Sequence, residues 1–255
     1  MNPFVSVIVP IYNAAPFLKE TLDSIIASTY RPIEIVMVDD GSKDDSLNIA
    51  QDYCTNHPEC TVIAQANQGV SAARNKAIRN AKGTYILPVD ADDKIADTFI
   101  QKAVKVIENN DGIRVVGCRC WMFGAENKEW KLPEFSHALL ARKNMIPATA
   151  LYRKADWERC GGYCEEEIYR EDWDFWLSMM ELGGTFYKLD EILFYYRISA
   201  KSRRSLAKGK KKRIVDAINH RHPAYMQRYL GGPLHYHRSW SRFINFFRSE
   251  RQQGE

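Results

Sequence analysis

The chain has 255 residues, of which 45% are hydrophobic and 27% charged, with a net charge of +4. That size suits one large domain or one and a half, and no run of 18 apolar residues offers a membrane-spanning helix. The opening MNPFVSVIVP has neither the positive region nor the cleavage site of a secretory signal, so the expected location is cytoplasmic.

Residues 4–10, 33–38, 61–65 and 84–89 are short, nearly continuous apolar runs, the pattern of strands buried on both faces of a parallel sheet. After Asn13, Phe17, Leu18, Leu22, Ile25 and Ile26 line one face of a helix. Ser42 to Asp45 resembles a capping box, with Asp45 in the usual Glu or Gln position, opening a second helix through Leu47 and Ile49. The spacing predicts a third helix over 70–82, closed by Gly83, then a fourth over 97–109 and a fifth strand over 113–121. This alternation predicts an α/β fold with a doubly wound, mostly parallel sheet.

Such sheets place ligands at the carboxyl ends of their strands. The residues there are Pro10, Ile11, Tyr12 and Asn13; Asp39, Asp40, Gly41 and Ser42; Asn67, Gln68 and Gly69; and Asp90, Ala91, Asp92 and Asp93. Four polar or aromatic strand ends in succession predict one site. The dinucleotide fingerprint and the P-loop are absent, which disfavours dinucleotide oxidoreductases and P-loop NTPases. In an extended segment Asp90 and Asp92 point the same way, an arrangement suited to Mg²⁺ or Mn²⁺ shared with a diphosphate. Capping of the following helix could account for Asp93 but not for that pair.

The motifs VSVIVPIYN, VDDGSKDDS, NQGVSAARN, YILPVDADD, GGY and REDWDFW occur in the order and spacing of the family 2 inverting glycosyltransferases of GT-A fold. The resemblance spans about residues 4–200 and implies a role for each matching position. Tyr12 would stack on a nucleotide base. Asp40, with Asp39 alongside, would accept a hydrogen bond from it, as the N3–H of uracil requires. Arg74 would lie near base and diphosphate. Asp90 and Asp92 would form the DxD motif, with Asp92 the nearer to the metal and Asp90 to the ribose, and Pro10, Asn67 and Ala91 complete the expected donor-nucleotide set. Asp172 matches the catalytic base. On spacing alone Asp172, Glu171 and Asp174 read as plain acids at a helix start, stabilised there by the helix dipole.

The implied reaction is a single displacement at the anomeric carbon of a nucleoside diphosphate sugar, with a UDP-sugar expected. It is assisted by Mn²⁺ or Mg²⁺ and takes a glycan or lipid-linked acceptor. One departure stands out: many relatives have Tyr-Arg-x-His after the aromatic strand, whereas Arg197 is followed here by Ile198 and Ser199. Glu171, Trp173 and Arg197 are the expected acceptor-side contacts, although Arg197 could equally be structural. Trp121, Trp130, Trp157 and Trp176 are further aromatic candidates, with core packing the ordinary explanation for most. A nucleotidyltransferase would need a Gly-rich basic loop after the first strand, which is missing. A catalytically inactive sugar-binding module remains the alternative of a different class.

The expected organisation is a domain over 1–204, with a nucleotide half at 1–117 and an acceptor half at 118–204, then a basic helical extension over 205–255. In that extension KGKKKR at 208–213 accompanies Ile214, Val215, Ile218, Tyr225, Met226 and Tyr229. A basic aromatic helix could lie on an anionic membrane surface, dock on its own domain or form a homodimer. No nucleic-acid module is present. The His220/His222 pair reads as incidental rather than metal-ligating.

Overall fold

The computed structural model describes residues 2–166, 170–198 and 210–235. Strands β1 (Val5–Ile11), β2 (Ile33–Asp39), β3 (Cys60–Ala64) and β4 (Tyr85–Pro88) pair in parallel in the order β3-β2-β1-β4. The sheet continues through β8 (Leu151–Arg153), β6 (Ile113–Gly124), β9 (Thr185–Ile198) and the short β5 (Lys94–Ile95), with β7 (Lys128–Trp130) beside β6. The long registers are parallel, including β6 with β9. The antiparallel pairings, such as β8 with β4 and with β6, span only two or three residues.

Both faces of the sheet are covered, which explains the unbroken apolar runs. On β1, Val5, Val7, Val9 and Ile11 face a core shared with α1 (Leu18–Ile26), α2 (Ser46–Asn56) and α4 (Phe99–Glu108). Ile8 faces a second core built with α3 (Val70–Asn80) and α7 (Glu171–Glu181). Period-two alternation divides the strand between the two layers. Leu18, Leu22, Ile25, Phe99, Ile100 and Ile107 are fully buried, each contributing roughly 1.5–3 kcal/mol of transfer free energy.

The three residues of β8 separate the fifth strand, β6, from β4 and run against both. Two local expectations about helix ends are corrected. The capping box does not form. Helix α2 starts at Ser46, while the Ser42 hydroxyl accepts from the Asn13 amide and Asp44 accepts from the amides of Ala15 and Ser46. Helix α3 stops at Asn80, so Gly83 is not its cap. Gly83 is there because the chain passes against β1: a Cβ would lie 2.5 Å from the Ser6 amide nitrogen.

The extension takes one of the arrangements the sequence leaves open, docking on its own domain. Its described part forms α8 (Lys211–Arg221) and α9 (Pro223–Leu230), broken at His222-Pro223. Ile214, Val215, Ile218, Tyr225, Met226 and Leu230 are buried in the same core as α7. Docking on the domain therefore accounts for these apolar residues. Trp240, Phe243, Phe246 and Phe247 of the extension lie outside the described residues, as does Ser199.

Candidate functional site

The carboxyl ends of β1 and β2 are stitched together by short polar loops. Ile11 and Asp39 are register partners, and the Asp40 amide donates to the Ile11 carbonyl at 2.8 Å. Asn13, at φ +50°, accepts from the Lys43 amide through its side chain. Tyr12 is left 52% exposed at this rim, unusual for an aromatic ring in the chain. Pro10 is buried in β1, and Asn67 is exposed on the loop after β3.

The two neighbouring aspartates differ in their bonding. Asp40 already accepts three bonds: Oδ1 from Gln65 Nε2 and the Gln68 amide, and Oδ2 from the Gly69 amide, each at 2.8 Å. It thereby pins the 65–69 loop and the start of α3. Asp39 accepts from the Ser42 amide through Oδ2 at 3.1 Å, and its buried Oδ1 has no partner. A buried acceptor without a donor is costly, so Asp39 is the one suited to receive a ligand N–H.

The acidic cluster is a turn rather than an extended segment, since the Asp93 amide donates to the Asp90 carbonyl at 3.0 Å. Ala91 is buried, its carbonyl accepting from the Thr21 hydroxyl at 3.0 Å. Asp93 is also buried and accepts from the Arg197 amide at 2.7 Å. Burial, reinforced by Asp92 and Asp90, pushes its carboxyl well above the usual range. Burial and then the Asp90 charge push Asp92 up to about 6. A carboxylate whose proton is held by burial and by the Asp90 charge beside it fits a divalent ion, which would relieve the repulsion. Among the described residues no group of three or more His, Cys, Asp or Glu could hold a metal. Mg²⁺ and Mn²⁺, however, keep water and diphosphate oxygens and need only one or two carboxylates.

Arg197 lies behind this turn. Its Nε donates to the Asp92 carbonyl at 2.8 Å, its Nη2 pairs with Glu20, and its guanidinium sits between the rings of Phe17 and Phe123. These contacts commit Arg197 to holding the turn, in place of the expected acceptor contact.

Arg74, 2% exposed, joins the two halves of the site. Nη2 meets Asp90 Oδ1 at 2.6 Å and Nη1 meets Glu171 Oε1 at 3.4 Å, with the Tyr163 ring 5.4 Å away. Burial alone would lower its pKa, but Asp90 and its neighbours outweigh that and raise it. At the start of α7, Asp172 Oδ2 accepts from Asn144 Nδ2 at 2.6 Å, and Oδ1 accepts from the Trp173 amide at 2.9 Å. Burial first, then the Glu171 charge, push its carboxyl up to about 6. Desolvation thus outweighs the helix dipole expected to favour the anion. Asn144 was not singled out from the sequence; its polar side chain just before the apolar pair Met145-Ile146 is the only hint.

Trp173 departs from expectation. It is 6% exposed and its indole N–H donates to the Leu140 carbonyl at 2.7 Å, so its ring is core packing rather than a sugar platform. Trp157 and Trp176 are buried too, while Trp121 and Trp130 keep partial exposure.

The family model described as Glycosyl transferase family 2 matches residues 6–174, including every element described above from β1 to the first turn of α7. The chain belongs to glycosyl transferase family 2. Its relatives in that family include the uncharacterized glycosyltransferase EpsJ of Bacillus subtilis, 35% identical over 213 residues, 77% of this chain and 62% of EpsJ. YibD of Escherichia coli is 33% identical over 158 residues, 61% of this chain and 43% of YibD. The chain therefore spans less than two thirds of the length of these relatives.

Among solved structures, S. aureus TarS residues 1–349 in complex with UDP-GlcNAc gives a TM-score of 0.73 at 21% identity, covering 94% of this chain and 70% of that one. The mannosyltransferase PcManGT of Pyrobaculum calidifontis, in complex with GDP-Man and Mn²⁺, gives 0.66 at 19% identity, covering 100% and 76%. The fold is the GT-A type. Among the described residues no helix is long and apolar enough to cross a membrane.

Proposed function

We propose that this family 2 glycosyltransferase moves a sugar from a UDP-sugar to an acceptor hydroxyl with inversion at the anomeric carbon. The observation that carries the reading is the Arg74 bridge. It ties Asp90 of the acidic turn to Glu171, the neighbour of Asp172, so the donor end of the sheet and the candidate base share one site.

Tyr12 offers an exposed ring for the base, and Asp39 Oδ1 a free acceptor for its N–H. Asp90 and Asp92 would hold Mn²⁺ or Mg²⁺. When bound, the ion supplies positive charge for the leaving diphosphate. Arg74 and Arg197 keep the turn in shape. Asp172 takes the acceptor proton as the new carbon–oxygen bond forms and the bond to the diphosphate breaks. A carboxylate with pKa about 6 is ionised at neutral pH yet basic enough to accept that proton, as general-base catalysis requires. Asn144 orients it.

UDP-sugars and GDP-sugars, each tested with Mn²⁺ or EDTA against saccharide acceptors, decide the reading. UDP-sugar turnover that EDTA abolishes supports it. Turnover only with a GDP-sugar would retain the reaction and change the donor.

A further inference from the structure

Helix α7 carries a second carboxylate that the reaction does not use. Asp174 is 0% exposed, and two residues along a helix from Asp172 it projects to the opposite side. Its Oδ1 receives Arg221 Nε at 2.6 Å and His222 Nε2 at 3.0 Å, both from the break between α8 and α9. The other ring nitrogen of His222 meets Glu181 Oε1, seven residues further along α7, at 3.1 Å. Carboxylates only accept, so contacts at both ring nitrogens call for the doubly protonated, cationic imidazole. His222 is itself 2% exposed, so Asp174 and His222 form the buried centre of a four-charge cluster whose outer members, Arg221 and Glu181, keep contact with solvent.

We propose that Arg221 and His222 are positioning residues for Asp172: the α8–α9 junction clamps α7 from behind, while Asn144 holds its first turn from the front. The role rests on the glycosyltransferase reading. Buried ion pairs contribute little net stability compared with apolar packing, yet breaking this one would strand an uncompensated charge on α7.

The clamp is also sensitive to pH. Burial opposes the charge on His222, but Asp174 and Glu181 outweigh it and raise its pKa, and the bonds from His222 and Arg221 draw Asp174 below the usual range against the effect of its own burial. The other charged or titratable groups nearby are Cys164, which interacts with Asp174 and Arg221, and His220 on α8, Arg159 and Cys160 on α6 (Lys154–Cys160), and Glu166. His220, Arg159, Cys160 and Glu166 line a cavity of about 510 Å³ with His222. Because the folded-state pKa is raised, the clamp is complete below the ordinary histidine value near 6.5 and loosens as pH rises through the raised one.

Hydrogen exchange on the full chain at pH 6 and pH 9, corrected for intrinsic chemistry, tests this with wild type, His222→Gln and the exposed control Asp216→Asn. The expected wild-type result is about tenfold less protection of α7 at pH 9 than at pH 6. His222→Gln should be weakly protected at both pH values with β1 unchanged, and Asp216→Asn should match wild type. With the UDP-sugar that wild type turns over, His222→Gln should lower kcat about tenfold at unchanged donor KM. Equal α7 protection in wild type and His222→Gln at pH 6, losses spread evenly over β1 and α7, or an unchanged kcat would overturn the proposal. No wild-type turnover with any donor would instead overturn the functional reading, and the exchange pattern would still decide whether the clamp exists.

Discussion

Arg74 and Asp90 form a 2.6 Å ion pair in which the arginine is almost wholly buried and the aspartate is one-third exposed. The same guanidinium reaches Glu171 with its other nitrogen, so one side chain neutralises a carboxylate from each half of the site. Removing a buried partner leaves the remaining charges uncompensated, at a cost of about 3–5 kcal/mol. Arg74→Met should therefore lower Tm sharply. Arg74→Lys should recover little, because a point charge cannot span both carboxylates. Thermal unfolding of the two variants measures this; a Lys variant as stable as wild type would count against the bridge.

The two aspartates after β2 should separate stability from ligand binding. Asp40→Asn keeps one acceptor oxygen but turns the other into a donor, so at least one of the three loop donors loses its partner, and the change should destabilise by about 1–3 kcal/mol. Asp39→Asn, which alters the oxygen that lacks a donor, should weaken UDP binding with a smaller change in Tm. Denaturant unfolding and UDP titration of both variants test the assignment.

The acidic turn predicts a specific metal response. Asp92 binds its proton more tightly folded than unfolded, so it favours the fold at low pH and disfavours it as pH rises through about 6. In metal-free protein at pH 7.5, Asp92→Asn should raise Tm. UDP with Mn²⁺ should stabilise wild type by mass action and should not stabilise Asp92→Asn. Thermal-shift curves with Mn²⁺ and with EDTA report both effects.

The general base predicts an acid limb. Asp172 must be ionised to act, so kcat/KM should fall as pH drops through about 6. Glu171 is the second cause of the raised value, after burial. Glu171→Gln should therefore move the limb to lower pH. A limb that does not move would separate the two charges.

Much of this was legible in the sequence because buried parallel strands and their polar ends leave a strong signal. β1 to β4 and the strand-end residues lie where the apolar runs place them. The rest depended on contacts distant in sequence. Three residues at 151–153 carry no periodicity that could place β8 between β4 and β6. Asp39 and Asp40 look equivalent in sequence, and only the donors at 65–69 tell them apart. Trp173 read as an acceptor contact because it adjoins Asp172, but adjacent residues on a helix face different ways. The aromatic basic extension suited a membrane surface equally well, and docking on α7 became evident only from three-dimensional packing.

The most direct test of the account is Asp172→Asn, assayed for sugar transfer and, in parallel, for stabilisation by UDP with Mn²⁺. The account predicts transfer reduced by about 10²–10⁴-fold with nucleotide stabilisation retained. Transfer within a few-fold of wild type would show that another group takes the proton and would contradict it.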